Sequence, residues 1–361
     1  MRLFPMLLIA LLCSAVTSPV ATAQTPILLQ SPEIRILGRY QALPNHDIRL
    51  AYPGTGLLVH FSGPSLSLTL TANSASSALT AVIDHGEPSL ILLKKGAQTV
   101  PIAEDLASGP HIAEIYKRTE TWQGLLDLTS LQVAPGSGLL PATPAPVRKL
   151  MFLGDSVTCG TAVDDNPTCK NDPLHPSTDA YHTYAMDLGR RLDAQTDLVC
   201  FGGRGLERTY DGKTLKDGIL NAPDFLDLAV PTDDPATRAA WDSHSFIPDA
   251  IVVSLGTNDF SLEPTQPLDA SAWVADYVKL LHRLRAEYPA ATILATEGAI
   301  VTNPLLRQYI QSAVQQAQDP NVRWARATHY PGSSCNGHPT REQHSHMADD
   351  LEPQLRTTLH W

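Results

Sequence analysis

The chain has 361 residues, room for two domains that each bury a core of their own. Its 26 basic side chains against 37 acidic ones give a formal charge of −11. No basic cluster stands ready to neutralise phosphates, which excludes a nucleic-acid binder and disfavours polyanionic substrates.

Met1-Arg2, the apolar run Leu7–Leu12 and Ala21-Thr22-Ala23 have the layout of a secretory signal peptide over residues 1–23, cleaved before Gln24. The protein is therefore expected in the periplasm or outside the cell. Cys13 lacks the context of a lipid-anchored cysteine, and no later run is long and apolar enough to span a bilayer. Removing the leader leaves Cys159, Cys169, Cys200 and Cys335, an even number that suggests two disulfides with three possible pairings. A Cys159–Cys335 bond would tether the two loops described below, and a local Cys159–Cys169 bond fits as well. The spacing is not that of a zinc site.

Residues 24–133 read as a first domain, in which apolar residues alternate with polar ones between about Glu33 and Gln132. Leu57–Phe61, Leu66–Leu70, Leu79–Ile83 and Leu90–Leu93 read as short strands split by turn residues such as Gly54, Gly63-Pro64 and Gly86. Short strands at regular spacing indicate an all-β sandwich or jelly roll. Periodicity leaves open whether this half binds sugar or only packs against its neighbour. Residues 134–147, rich in proline and glycine, read as a linker.

From 148 to 361 apolar strands alternate with amphipathic helices. Strands are expected at Lys149–Leu153, Leu198–Phe201, Ala250–Leu255, Thr292–Ala295 and Val322–Ala325. Helices are expected at Tyr181–Asp193, Ala270–Tyr288, Pro304–Gln318 and Thr340–Leu355. That alternation implies right-handed βαβ crossovers and a parallel sheet covered on both faces, an α/β fold.

The first of these strands ends in Gly154-Asp155-Ser156, which leaves a serine hydroxyl at the carboxyl edge of the sheet, where open α/β sheets build their sites. Ester hydrolysis through an acyl-enzyme needs a nucleophile, a base and donors for the oxyanion. Ser156 is the candidate nucleophile. His338, in a loop between the last strand and the last helix, is the candidate base. The candidate oxyanion donors are the N–H of Ser156, an N–H from the turn bearing Gly203 and Gly205, and the side chain of Asn258 in Gly256-Thr257-Asn258-Asp259. Among the other histidines, His344 and His346 are expected on the surface of the final helix, and His182 and His329 read as structural. The chemistry requires no metal and no cofactor.

These blocks resemble the SGNH (GDSL-type) hydrolases. Gly38-Arg39-Tyr40, Arg49-Leu-Ala-Tyr-Pro-Gly-Thr-Gly56, Lys117-Arg-Thr-Glu120 and Gly154-Asp-Ser-Val-Thr-Cys-Gly160 resemble carbohydrate esterase family 2 more specifically. The resemblance implies an SGNH three-layer α/β/α domain preceded by a jelly-roll sandwich. It also implies removal of O-acetyl groups from xylan or related plant polysaccharides, so the expected partner is an acetylated polysaccharide or oligosaccharide, with no nucleic acid and no membrane.

One departure stands out. SGNH enzymes usually carry an Asp three residues before the histidine, and this chain has Cys335 there, in Cys335-Asn336-Gly337-His338-Pro339. The imidazole then needs another acceptor to fix its tautomer. Asn336 offers its amide oxygen; a backbone carbonyl near Ser333 or Ser334 is favoured, because residues two apart on a tight loop rarely face one another. The missing aromatic at Gly337 leaves Tyr210, Trp241 or Trp273 as replacements for a sugar platform. The competing readings are an SGNH lipase, thioesterase or arylesterase, and a carbohydrate-binding protein with an inactive site.

Overall fold

In the strand Leu66–Ala72 the residues Leu66, Leu68, Leu70 and Ala72 are buried while Ser67, Thr69 and Thr71 face outward, the two-residue period of a half-buried strand. The same period recurs through the first half. In the computed structural model, which describes residues 26–164, 169, 176–298, 300, 303–328 and 332–361, it yields two antiparallel sheets. The expected signal peptide and His329 lie outside the described residues.

The strands are β1 (Ile27–Leu28), β2 (Ile34–Leu37), β3 (Gln41–Ala42), β4 (Ile48–Leu50), β5 (Gly56–Ser62), β6 (Leu66–Ala72), β7 (Ala78–Ile83), β8 (Ser89–Leu92), β9 (Gly96–Ala103), β10 (Pro110–Lys117) and β11 (Leu126–Val133). One sheet runs β3-β4-β11-β6-β9, with β1 also on β11, and the other β2-β5-β10-β7-β8. Leu57, Val59, Phe61, Leu68, Leu70, Ala113, Ile115 and Leu126 fill the space between them. The proline-rich stretch after β11 is less free than its composition suggests. It lies back on β5, where Ser62 N donates to Gly138 O and Leu140 N to His60 O.

The second half contains β12 (Arg148–Gly154), α1 (Ser156–Cys159), α2 (Tyr184–Arg191), β13 (Ala194–Cys200), α3 (Ala222–Phe225), β14 (Leu228–Val230), β15 (Ala239–Ala240), β16 (Ala250–Ser254), α4 (Ala270–Glu287), β17 (Thr292–Thr296), α5 (Pro304–Ala317), β18 (Val322–Trp324) and α6 (Arg341–Leu359). A parallel sheet runs β13-β12-β16-β17-β18. Alternate strand residues serve opposite layers. Met151, Leu153, Ile251, Val253 and Ile293 meet α4 and α5 through Trp273, Tyr277, Leu281, Leu306 and Ile310. Leu150, Phe152, Leu198, Val252 and Leu294 meet α2 and α6 through Tyr184, Leu188, Met347 and Leu351. Helix α2 starts later than expected because the Thr183 hydroxyl accepts from Met186 N and caps it there. Helix α6 passes its expected end and carries Pro353 inside it.

The two halves are bolted together by buried polar groups. Arg39, fully buried, donates from Nε to Asp197 Oδ2 at 2.9 Å and from Nη1 to Leu226 O at 2.5 Å, and its guanidinium lies 5.4 Å from the Trp241 ring. Tyr52 OH donates to Phe225 O at 2.9 Å. Arg118 bonds Asp179 at 3.0 Å and also Asp164. The sequence motifs around Arg39, Tyr52 and Lys117–Glu120 all fall on this interface.

Candidate active site

Strand β12 delivers the chain to the carboxyl edge of the sheet, and Asp155 turns it into α1 by accepting from Val157 N at 3.0 Å. Ser156 is the first residue of that turn, so its N–H has no intrahelical acceptor. Asp155 is fully buried, and burial pushes its carboxyl up to about 7.

His338 sits at the end of a tight turn over Cys335–Gly337 in which Asn336 adopts φ 55°. Its Nε2 lies 2.8 Å from Ser156 Oγ, and its Nδ1 lies 2.9 Å from the carbonyl oxygen of Cys335. A carbonyl only accepts, so the proton is on Nδ1 and Nε2 is the bare nitrogen facing the serine hydroxyl. The acceptor is thus a backbone carbonyl, that of Cys335 next to Ser334, and Asn336 instead lines the cleft. Burial holds the His338 pKa below the ordinary histidine value, partly opposed by the Cys335 carbonyl.

Three other histidines near the second half's helices differ in environment. His182 is engaged by Asp179 Oδ2 at 2.5 Å. His346 is exposed, but His344 is not: it is fully buried, stacks on Tyr184 and accepts from Tyr184 N at 3.2 Å. The surface expectation for His344 is corrected because α6 packs that face against α2. Burial, with a smaller contribution from nearby His338, lowers its pKa to about 3.

The two candidate glycines separate. Gly203, at φ +76°, lines the cleft beside Ser156. Gly205 stands back from it, against Asp259; a Cβ there would fall 2.3 Å from Asp259 Oδ2. Asp259 in turn accepts from Leu206 N and Glu207 N at 2.8 Å and from Arg208 N at 3.2 Å, so it anchors the loop following Gly203. Gly205 is needed for that close approach and not as a wall of the cleft. Asn258 faces the cleft from the loop after β16. Its Nδ2 donates to Arg204 O at 2.8 Å, and its contact with Asp155 Oδ2 is long, at 3.4 Å.

The cleft around these groups measures about 910 Å³. Tyr210, 60% exposed, and Trp122, 51% exposed, present aromatic faces along it. Trp273 is core and Trp241 lies at the interface of the two halves, so neither replaces the missing aromatic at Gly337. Trp122 and Glu120 come from the sandwich and were not anticipated as site residues. Their one signal was the Lys117–Glu120 motif, which carries no chemistry until the fold brings it to the serine.

Neither anticipated disulfide forms. Cys159 pairs with Cys200 and Cys169 with Cys335. Gly154 pairs in register with Cys200 on the neighbouring strand, so the short turn of α1 leaves Cys159 beside the end of β13. The Cys169–Cys335 bond instead fastens the histidine turn.

The parallel sheet, with the serine turn at its carboxyl edge, defines a GDSL-type hydrolase domain behind an antiparallel sandwich. Residues 152–360 match the family model of the GDSL-like lipase/acylhydrolase family, and residues 36–144 match the model described as carbohydrate esterase 2 N-terminal. The chain is 35% identical, over 99% of its own length and 99% of the relative's, to an acetylxylan esterase / glucomannan deacetylase of Cellvibrio japonicus. It superposes on the structure of a family two carbohydrate esterase from Cellvibrio japonicus with a TM-score of 0.86 at 34% identity, covering 94% of this chain and 99% of that one. A family two carbohydrate esterase from Clostridium thermocellum in complex with cellohexaose matches with a TM-score of 0.78 at 25% identity, over 91% of this chain and 99% of that one. The chain belongs to carbohydrate esterase family 2, as an SGNH-type carboxylic ester hydrolase acting on carbohydrate.

Proposed function

We propose that the protein, after export, removes O-acetyl groups from xylan, glucomannan or a related plant polysaccharide through an acetyl-enzyme on Ser156. The observation that carries this reading is the 2.8 Å contact between His338 Nε2 and Ser156 Oγ in a cleft bordered by two exposed aromatic rings. His338 takes the hydroxyl proton as Oγ attacks the acetyl carbonyl, then passes it to the departing sugar oxygen. A water activated by the same imidazole releases acetate. The Cys335 carbonyl holds the Nδ1–H throughout, so the pair works as a dyad with a backbone acceptor.

The N–H groups of Ser156 and Gly203 and the Asn258 side chain receive the oxyanion. No hydrogen bond among the described backbone groups uses the Gly203 N–H, and the long contact from Asn258 Nδ2 to Asp155 leaves that donor open to a developing charge. Trp122 and Tyr210 offer flat apolar faces of the kind that stack on sugar rings. The names of the relatives support acetylated polysaccharide as the substrate class.

The test is acetate release from acetylated xylan and glucomannan by wild type and by Ser156→Ala. The expected result is turnover in the first and a loss of at least about 10³-fold in the second. Preference for long-chain p-nitrophenyl esters over acetate would transfer the reading to a lipase-type acyl specificity. Polysaccharide binding without turnover by the folded wild type would overturn catalysis.

A further inference from the structure

Glu120 is delivered by the sandwich, 41 residues before Thr161 and 82 before Gly202, yet its carboxylate touches both. Oε2 accepts from Gly202 N at 2.6 Å, Oε1 accepts from Thr161 Oγ1, and the Trp122 side chain also donates to the group. Thr161 N in turn donates to Ser156 O at 2.9 Å, so one side of the carboxylate is tied to the serine turn. The other side is tied to the residue preceding Gly203. The approach is close enough to dictate sequence: a Cβ on Gly202 would fall 2.5 Å from Oε2.

The main chain that carries this carboxylate is itself held. Glu120 is 1% exposed, its N–H donates to Gln123 Oε1 at 2.9 Å, and the buried Lys117 ammonium donates to the carbonyls of Thr119 and Glu120. A buried group so fully engaged fixes whatever it bonds.

We propose that Glu120 is a positioning residue contributed by the sandwich, which sets the distance between the Ser156 turn and the Gly203 loop and thereby aims the Gly203 N–H at the oxyanion. The sandwich then completes the catalytic geometry of the hydrolase half. This inference rests on the acetyl-enzyme reading above. Burial raises the Glu120 carboxyl above its ordinary range, against the pull of the Thr161, Gly202 and Trp122 donors and of the Lys117 charge.

The test uses full-length Glu120→Ala, Glu120→Gln and Thr161→Val with p-nitrophenyl acetate. Rates are normalised to the Ser156 that a phosphonate ester titrates. In Glu120→Ala, kcat per titrated serine falls by about 10²-fold, the cost of one mis-set oxyanion donor, while KM changes by less than about threefold. In Glu120→Gln most of that loss is recovered, since the amide oxygen accepts from Gly202 N and the amide nitrogen meets the Thr161 hydroxyl. Thr161→Val, close to isosteric, lowers kcat by about five- to tenfold through loss of one arm of the bridge. A merely structural residue lowers the titratable fraction or the melting temperature and leaves kcat per titrated serine unchanged. That result in Glu120→Ala overturns the proposal, and if this variant does not fold, an unchanged kcat in Thr161→Val does so. Wild type without esterase activity would instead sink the acetyl-enzyme reading.

Discussion

The Nε2 of His338 lies 2.8 Å from the Oγ of Ser156 across 182 residues of sequence, and the opposite nitrogen of the same ring is held by a main-chain carbonyl where a carboxylate is usual. A carbonyl fixes the tautomer as a carboxylate would, but it brings no full negative charge to stabilise the imidazolium. Burial therefore dominates the ring's titration.

The first consequence concerns pH. The base must be neutral, and burial lowers the His338 pKa below 6.5. The acidic limb of kcat/KM is expected to have its midpoint below 6.5, so activity persists into mildly acidic solution and is lost only as pH falls through the lowered value. A pH profile on p-nitrophenyl acetate measures it; a midpoint above 6.5 would contradict the assignment of His338 as base.

Asn258→Ala removes a donor from the cleft while leaving the Ser156–His338 contact in place. The expected loss is about 10²–10³ in kcat, roughly 2.7–4 kcal/mol, with little change in KM. Near-wild-type kcat in the folded variant would take Asn258 out of the oxyanion site.

The Cys169–Cys335 bond joins residues 166 apart and fastens the turn whose carbonyl holds His338. Replacing both cysteines by serine is expected to lower stability by about 2–5 kcal/mol. Activity should fall by roughly tenfold as the turn loosens, in keeping with the sensitivity of positioned groups to small displacements. Urea titration and kcat at a temperature well below the melt separate the two effects. Full kcat in the double variant would show that the turn holds His338 without the bond.

Arg39 and Asp197 form an ion pair with both side chains 1% exposed or less, between the sandwich and the hydrolase half. Arg39→Met leaves Asp197 buried and unpaired, at an expected cost of about 3–5 kcal/mol. Asp197→Asn, which keeps an acceptor at the same place, should cost less. Equal, small losses measured by urea unfolding would mean the pair contributes nothing to docking of the halves.

His344 ties acid stability to the core. Its folded pKa of about 3 lies below the ordinary 6.5, so the unfolded chain takes up a proton that the folded chain refuses. Stability from this group is complete above about pH 6.5 and is lost as pH falls toward 3, with a limiting slope of about 1.4 kcal/mol per pH unit. In His344→Asn, whose amide oxygen takes the place of Nδ1 toward Tyr184 N, that part of the slope should vanish. An unchanged slope between pH 6 and 4 would mean the ring is protonated in the fold.

Periodicity carried the fold far. The five expected strands and four expected helices of the second half overlap β12, β13, β16, β17, β18, α2, α4, α5 and α6, because a strand buried on both faces and a helix with one apolar face each write their period locally. Boundaries moved where a single hydroxyl, as at Thr183, decided the start. The burial of His344 was not legible, since one polar residue on a helix does not reveal that a second helix will cover it. The cysteine pairing was open for a related reason: spacing alone separates none of the three possible pairings, and strand adjacency in the sheet joins Cys159 to Cys200.

Local pattern in the chain specifies the main elements, their order and the residue types able to do acyl chemistry, because backbone propensity and hydrophobic period act over a few residues. Which of those residues meet is a property of the folded layers. Their packing set the Cys335 carbonyl behind His338, sent Gly205 to Asp259 instead of the cleft, and brought Glu120 from the sandwich to the Gly202 N–H. Contacts between residues tens to hundreds of positions apart are fixed by how whole layers pack, and no local pattern records them.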